Sequence, residues 1–290
     1  LLHLKSAFIR FFKKQSQYPV FKKKFVNDKF TYPEGVKLNH SFTKIFLPKI
    51  RYMKFKCSKK YLKLLKTHEF RSSTVMVEAG KWYISILIED NTVPQTPVSI
   101  SKTVGIDLGI KKYAVLSSGH YVSAPNILSK LKEIDRLESL LCKKTKGSNA
   151  SKRLLVKIQH KQKHLNDLKT DFLNKLVDWA IKNHDCIILE DLNIRKMIKN
   201  EGDRKKTFNR LMTMIPMYGF RRKLEYKAML AGKYCIAVNP ANTSRTCSEC
   251  GHVDKKSRKS QSEFECTSCG FSANADLNAA FNIHNLGLNA

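Results

Sequence analysis

The chain has 290 residues, 42% of them hydrophobic and 10% aromatic, which is enough for a packed core and excludes an intrinsically disordered protein. Its 54 Lys and Arg residues against 24 Asp and Glu residues give a formal net charge of +30, which predicts a polyanionic partner such as nucleic acid. No apolar stretch has the length of a membrane-spanning helix and no signal peptide is visible, so we expect an intracellular protein without membrane contact.

The N-terminal part changes from a helical to a strand-like pattern. Residues 1–14 have the apolar spacing of a helix with a basic face. The chain begins within this helix, at Leu1 rather than at Met, so we expect that the start of the protein is missing. Between residues 18 and 97 there are short runs of β-forming residues separated by Pro and Gly, at 25–26, 42–47, 52–55, 73–77 and 82–88. These runs predict a small barrel, and residues 91–97 predict a linker behind it.

Positive charge is denser in this N-terminal part. Residues 1–98 carry 20 Lys and Arg against 6 Asp and Glu, a net charge of +14, while the other 192 residues carry +16. Lysines alternate with aromatic residues in the stretch YPVFKKKF (18–25), a combination that can pair with phosphates and stack on bases. A solvated basic face over aromatic core residues explains any single residue equally well, but it explains the whole set less well.

An acidic residue interrupts the next predicted strand, residues 103–110, which continues into an antiparallel meander through 112–118 and 120–124. This residue is Asp107, and a carboxylate within an apolar strand is costly unless a cation or hydrogen bonds stabilise it. We therefore favour a metal ligand over a buried structural aspartate. The neighbouring Gly105 and Gly109 are expected to leave room for a substrate backbone.

A pair of adjacent carboxylates ends a later strand. Predicted helices at 126–141 and 150–184 lead to an apolar strand at 185–192. Because side chains alternate along a strand, only one of Glu190 and Asp191 can point the same way as Ile188, and we predict Glu190 as the ligand. The sequence then predicts a basic loop or helix at 195–207, a helix at 219–230 and a strand at 234–239.

Two CxxC pairs, Cys247/Cys250 and Cys266/Cys269, are separated by fifteen residues, the spacing of a structural zinc site. Each pair places two thiolates at one tight turn, and the two turns together complete a tetrahedron around one Zn²⁺. Two disulfides, or four unrelated cysteines, are the alternatives. The remaining four cysteines are isolated and predicted to be reduced thiols.

A third carboxylate follows the cysteines. Asn274 is a plausible N-cap, and Asp276 lies in the first turn of the helix behind it, where an acidic side chain can simply complement the helix dipole. Together with Asp107 and Glu190, however, it completes a set of three carboxylates that a meander, parallel strands and helices can bring together. This arrangement predicts an α/β protein with an RNase H/RuvC-like nuclease fold.

Several stretches in a fixed order carry a resemblance to one family: YPVFKKK (18–24), VGIDLGIKKYAVLSSG (104–119), IILEDLNIRKM (187–197), FRRKLEYKA (220–228), NPANTSRTCSECG (239–251) and FECTSCGFSANADLNAAFNI (264–283). They resemble the OrfB/TnpB proteins of small insertion sequences, RNA-guided DNA nucleases akin to the type V CRISPR effectors. The resemblance implies four segments: residues 1–98 as a remnant of a helical recognition segment plus a mainly-β wedge barrel, 99–243 and 272–290 as the two parts of a RuvC-like nuclease domain, and 244–271 as an inserted, target-nucleic-acid-binding zinc ribbon.

The resemblance also implies the chemistry. Asp107, Glu190 and Asp276 correspond to the nuclease triad, which holds two Mg²⁺ ions. Family members take a guide RNA from the transposon end, cut a DNA target in association with transposition, and act in the cytoplasm at the nucleoid. Two alternatives remain: a catalytically idle, nucleic-acid-binding relic, which the truncated start favours, and a zinc-ribbon binding protein that never cut DNA. The three carboxylates favour the nuclease.

Overall fold

The computed structural model describes residues 2–21, 29–89, 93–110, 112–193 and 217–289. The predicted strand at 25–26, the lysines of YPVFKKK and the basic segment 195–207 lie outside the described residues. The chain forms two compact units, one of residues 1–91 and 144–160 and the other of residues 92–143 and 161–290. In the part of the chain that the structure describes, no helix is both long and apolar enough to span a membrane.

The first unit is built mainly from two antiparallel sheets of three strands, with strand orders β1-β5-β6 and β2-β3-β4. Its core consists of Val36, Ile45, Leu47 and Val75. Within the described ranges no strand pairing joins the two sheets, so closure into a wedge barrel stays a prediction. The elements are α1 (Leu2–Phe12), β1 (Lys29–Tyr32), β2 (Lys37–Leu38), β3 (Lys44–Leu47), β4 (Arg51–Lys54), α2 (Lys59–Thr67), β5 (Phe70–Glu78) and β6 (Lys81–Ile88).

Helix α2 corrects the sequence analysis, which predicted only strands between residues 18 and 97. Ser58 caps this helix by accepting a hydrogen bond from the backbone N–H of Tyr61 at 3.4 Å. None of its residues is fully buried, and four of its nine residues are lysines. The helical spacing of Tyr61, Leu64 and Leu65 was a usable signal, but it spans little more than one turn.

The second unit contains a five-stranded sheet in the order β11-β10-β7-β8-β9. Strands β7, β8 and β9 form an antiparallel meander, and β10 and β11 add to it in parallel. This confirms the predicted α/β arrangement of a meander, helices and parallel strands. The strands are β7 (Thr103–Leu108), β8 (Lys112–Leu116), β9 (Tyr121–Ser123), β10 (Cys186–Glu190) and β11 (Tyr234–Val238).

The adjacent parallel strands β7 and β10 are apolar because helices cover both faces of the sheet. The buried residues of β7 and β10 include Val104, Ile106, Ile187, Ile188 and Leu189. The helices of this unit are α3 (Leu128–Cys142), the later part of α4 (Asn149–Asn183), α5 (Met217–Leu230) and α6 (Ala275–Leu288). Met217 of α5 lines a small cavity with Leu108 and Leu189 on one face.

Helix α6 packs on the opposite face at very short range. A Cβ on Gly105 would lie 2.4 Å from the carbonyl oxygen of Ala280, and one on Gly287 would lie 2.4 Å from Cγ2 of Ile188. Glycine at these two positions therefore lets the helix backbone approach the sheet. This corrects the expectation for Gly105, because the space beside it is filled by α6 and not left open for a substrate.

A cysteine-rich ribbon connects β11 to α6. It contains a short 3₁₀ helix (Lys255–Ser257) and an antiparallel pair of strands, β12 (Glu263–Glu265) and β13 (Ser272–Asn274). Its small core consists of Phe264, Cys247, Cys266 and Ala275. The ribbon leads directly into the first turn of α6, where Asp276 lies.

Candidate active site

The three predicted carboxylates, Asp107, Glu190 and Asp276, line one open cavity of about 320 Å³. Asp107 lies near the end of β7, Glu190 ends β10, and Asp276 lies in the first turn of α6. Because β7 and β10 run parallel, their carboxyl ends meet at the same edge of the sheet. Because side chains alternate along a strand, Asp107 faces the same side of the sheet as Gly105, and Glu190 the same side as Ile188. Gly105 and Ile188 both contact α6, so the two carboxylates lie on the face of the sheet that α6 covers.

The surroundings of the cavity strongly raise the pKa of Asp107. Burial, which is the largest cause, and the nearby carboxylates of Glu190 and Asp276 together raise the pKa of Asp107 to about 7. Arg258 and the backbone N–H of Leu108 oppose this rise. The ionised form of Asp107 is therefore costly at neutral pH, and a cation in the cavity would remove much of that cost.

Glu190 is held by one specific hydrogen bond. The hydroxyl of Thr243 donates to Oε1 of Glu190 at 2.5 Å. Burial raises the pKa of Glu190 and the bond from Thr243 counteracts this, with a net rise above the ordinary value. The adjacent Asp191 is exposed and forms an ion pair with Arg221 instead. Of the two carboxylates at the end of β10, it is Glu190 that lines the cavity.

Asp276 is fixed by the cap of its helix. The side chain of Asn274 accepts hydrogen bonds from the backbone N–H groups of Asp276 at 3.1 Å and Leu277 at 3.3 Å, which confirms the predicted N-cap. A guanidinium nitrogen of Arg258 lies 3.5 Å from a carboxylate oxygen of Asp276. The negative charge of Asp276 in the first turn thus complements the dipole of α6, but Asp276 also lines the cavity with the other two carboxylates.

The donor set of this cavity suits a hard divalent cation. Three carboxylates offer only oxygen ligands, which Mg²⁺ prefers. They do not converge as tightly as the cysteines described next; among the described residues, the group of four cysteines is the one whose ligand atoms all lie within 4.8 Å of one another. Carboxylates shared by two ions about 3.5–4 Å apart need not converge on a single point.

The four cysteines Cys247, Cys250, Cys266 and Cys269 form the tight cluster. The Sγ atoms of Cys247 and Cys269 are 3.7 Å apart, and those of Cys250 and Cys266 are 3.6 Å apart. Disulfide sulfurs would be about 2 Å apart, whereas four thiolates about 2.3 Å from one Zn²⁺ in a tetrahedron would be about 3.8 Å from each other. The cluster fits a zinc ribbon and does not fit the disulfide alternative.

The two CxxC turns have the same backbone hydrogen bonds. The N–H of Cys247 donates to the carbonyl of His252, and the carbonyl of Cys247 accepts from the N–H of Gly251. Cys266 makes the equivalent bonds with Phe271 and Gly270. Gly251 and Gly270 have φ values of 73° and 70°, in the left-handed region that favours glycine. Hydrogen bonds from the N–H groups of Cys269 and Ser268, together with the neighbouring thiols, lower the pKa of Cys266 to about 6, which favours the thiolate form that binds metal. Burial raises the pKa of Cys247, and the neighbouring thiols raise that of Cys269.

Sequence reasoning did not identify several residues that surround the carboxylates. Arg258 and Gln261 line the cavity from the ribbon, and Thr243 lines it beside Glu190. Arg258 is one of several basic residues in KKSRK (255–259), so its charge alone gave no reason to select it. Thr243 lies in an irregular segment, where no periodicity indicates the direction of a side chain.

Comparisons with known proteins agree with this architecture. A family model described as "Probable transposase" (OrfB_IS605) matches residues 75–201, and one described as "Cas12f1-like, TNB domain" matches residues 218–283. The cryo-EM structure of the Cas12f1–sgRNA–target DNA complex matches 98% of this chain and 69% of the Cas12f1 chain, with a TM-score of 0.61 at 18% identity. That likeness shows a shared fold and confirms the predicted α/β, RuvC-like class with a ribbon insertion.

Relatives of closer sequence carry the family assignment. InsQ of Escherichia coli (strain K12), named as a candidate RNA-guided DNA endonuclease, is 38% identical over 98% of this chain and 72% of its own length. A candidate RNA-guided DNA endonuclease of Streptomyces pristinaespiralis is 28% identical over 100% of this chain and 70% of its own length. The CRISPR-associated endodeoxyribonuclease Cas12f1 of Sulfoacidibacillus thermotolerans is 31% identical over 70% of this chain and 50% of its own length. The chain belongs to the OrfB/TnpB family of insertion-sequence RNA-guided DNA nucleases.

Proposed function

We propose that this chain is a metal-dependent DNA endonuclease that is directed to its target by an RNA guide. The observation that carries the proposal is the convergence of Asp107, Glu190 and Asp276 on one cavity. Burial raises the pKa values of Asp107 and Glu190, and the two neighbouring carboxylates add to the rise at Asp107. Such a cluster is typical of sites that hold divalent cations for phosphodiester cleavage.

In this proposal the three carboxylates, Thr243 and Arg258 have different roles. Asp107, Glu190 and Asp276 would hold two Mg²⁺ ions, which activate water and stabilise the leaving oxygen when bound. Thr243 keeps one oxygen of Glu190 in place through its hydroxyl. Arg258 supplies a permanent positive charge next to Asp276, where it can also pair with a phosphate of the DNA strand.

The charge of the chain supports a nucleic-acid partner outside the cavity. A net charge of +30 attracts both a guide RNA and a DNA target, and base pairing between the two would select the sequence to be cut. InsQ is named for RNA-guided action on DNA, and the similar Cas12f1 fold was determined with sgRNA and target DNA. We propose the transposon end as the source of the guide and the nucleoid as the place of action.

The test is cleavage by the protein purified together with RNA transcribed from the end of its own element. We expect Mg²⁺-dependent cutting of DNA that matches the guide, and loss of cutting in Glu190→Gln. Asp191→Asn is the matched control, since Asp191 is adjacent in sequence but pairs with Arg221 outside the cavity. A parent protein that retains RNA and binds DNA without cutting it would refute the endonuclease and support a catalytically idle binding protein.

A further inference from the structure

Two buried asparagines of α6 hold the segment that leads from β11 into the zinc ribbon, Thr243–Ser248, here named the connecting turn. The side-chain amide of Asn282 donates to the backbone carbonyl oxygens of Thr243 at 2.8 Å and of Thr246 at 2.7 Å. The amide of Asn278 donates to the carbonyl of Thr246 at 2.8 Å, and its oxygen accepts from the N–H of Ser248 at 3.0 Å. The connecting turn is therefore attached to α6 at both of its ends.

These hydrogen bonds lie in the interior. Asn278 is 0% exposed and Asn282 is 6% exposed, although both are on a helix whose other buried residues are small or apolar. A buried amide is costly unless its polar atoms are paired, and here each amide is paired with backbone atoms of the turn. The two residues are four positions apart and so lie on the same side of α6. This side of the helix is matched to one conformation of the connecting turn.

The connecting turn also reaches the carboxylate cavity. The hydroxyl of its first residue, Thr243, donates a hydrogen bond to Glu190, and the side-chain amide of Asn282 donates a hydrogen bond to the backbone carbonyl of the same threonine. Asp276 lies in the first turn of the helix that carries Asn282, and the two residues are about 9 Å apart along the helix axis. The position of Glu190 relative to Asp276 is therefore set through a continuous path from Asn282 to Thr243 to Glu190.

We propose that Asn282 is a positioning residue of the carboxylate site, and that it acts on Glu190 through Thr243. Asn278 secures the far end of the same turn beside the first cysteine knuckle. Neither asparagine touches the cavity directly, since the cavity is lined by Thr243 and not by them. The inference rests on the proposed function to the extent that the carboxylates are taken to hold divalent cations.

A double-mutant cycle on Asn282→Ala and Thr243→Val tests this path. The readout is Mn²⁺ affinity, measured by electron paramagnetic resonance on the guide-free protein, and it does not require cleavage. Removal of a group that orients a metal ligand typically weakens metal affinity about 10- to 100-fold, and we expect each single variant to show such a loss. If Asn282 acts through Thr243, the double variant should be about as weak as the weaker single variant. Asn285→Ala is the matched control, because Asn285 is an exposed asparagine on the same helix.

Thermal melting and cleavage separate positioning from simple structural support. A lower melting temperature of Asn282→Ala with Mn²⁺ affinity equal to that of the parent would overturn the proposal, and so would multiplicative losses in the double variant. In guide-loaded protein we expect the Mg²⁺ concentration for half-maximal cleavage to rise about tenfold or more in Asn282→Ala. A parent that binds Mn²⁺ but cuts no DNA would refute only the endonuclease function, while a parent that binds no Mn²⁺ would overturn both proposals.

Discussion

Replacement of Asp107 by asparagine should stabilise the metal-free protein and abolish cleavage at the same time. Asparagine keeps the shape of the side chain but has no charge to bury beside Glu190 and Asp276. In the proposed site that charge is required for cation binding, so cleavage should fall at least about 100-fold. A structural aspartate would behave in the opposite way, because its removal would lower stability and reduce activity only in proportion.

The pKa of Asp107 gives the size and the sign of the stability effect. Its pKa in the folded protein is about 7, against an ordinary value of 3.8. Below pH 3.8 the carboxyl is protonated in both the folded and the unfolded chain, so the burial of Asp107 does not lower the stability of the folded state. As pH rises from 3.8 through 7 the folded state loses stability, because the unfolded chain ionises without the cost of burial. The difference between the two pKa values corresponds to up to about 4 kcal/mol.

The assay is thermal melting of parent and Asp107→Asn in Mg²⁺-free buffer between pH 5 and pH 8.5. The melting temperature of the variant should exceed that of the parent by an amount that grows as pH rises to about 7 and then levels off. About 1 kcal/mol corresponds to about 2–4 °C in a unit of this size. Added Mg²⁺ should stabilise the parent and leave the variant unchanged. Asp191→Asn, outside the cavity, should show neither effect. A variant that melts below the parent at pH 8 would refute this account of Asp107.

Three further outcomes are expected from the remaining features. Protein purified without chelator should contain one zinc per chain. The Cys250→Ser variant should lose this zinc, and its residues 244–271 should become sensitive to proteolysis. Absence of stoichiometric zinc in the parent would contradict the ribbon site. Nucleic-acid affinity should fall steeply with salt: a plot of log affinity against log salt concentration should have a slope of about −3 or steeper, as four or more phosphate contacts would give. A flat dependence would indicate a basic surface that is solvated and does not bind nucleic acid. Glu190→Gln should reduce cleavage far more than Asp191→Asn in a time course under identical conditions, and equal losses would count against the assignment of Glu190.

Much of the second unit could be predicted because its sequence patterns are local and strong. The apolar strand around Asp107 and the one that ends at Glu190 stand out as short hydrophobic runs, and the observed sheet pairs them in parallel. Strand alternation was enough to separate Glu190 from Asp191, since the direction of a side chain in a strand follows from its position. The four cysteines were recognisable by spacing alone, because metal binding requires two short turns of fixed length.

The features that could not be predicted depend on contacts between distant segments. Gly105 lies two residues before Asp107, on the same face of β7, and only the packed structure shows that the absence of a side chain there makes room for the backbone of α6. Arg258 is one cation in a basic run until the fold of the ribbon brings it to Asp276. Asn282 has the sequence environment of an ordinary helix residue, and its partners are about 40 positions away in an irregular segment.

The charges around the cavity distinguish the nuclease from a protein that only binds nucleic acid. The side chains that line the described cavity carry three carboxylates and one guanidinium, which amounts to a formal charge of −2 when all are ionised. This negative cluster lies in a chain of net charge +30, where it repels the phosphates that the rest of the surface attracts. Two divalent cations would reverse the sign of the cavity and make it favourable for a phosphate. A protein that only bound nucleic acid would gain affinity by losing these carboxylates, so their presence together favours the proposed nuclease over a protein that only binds nucleic acid.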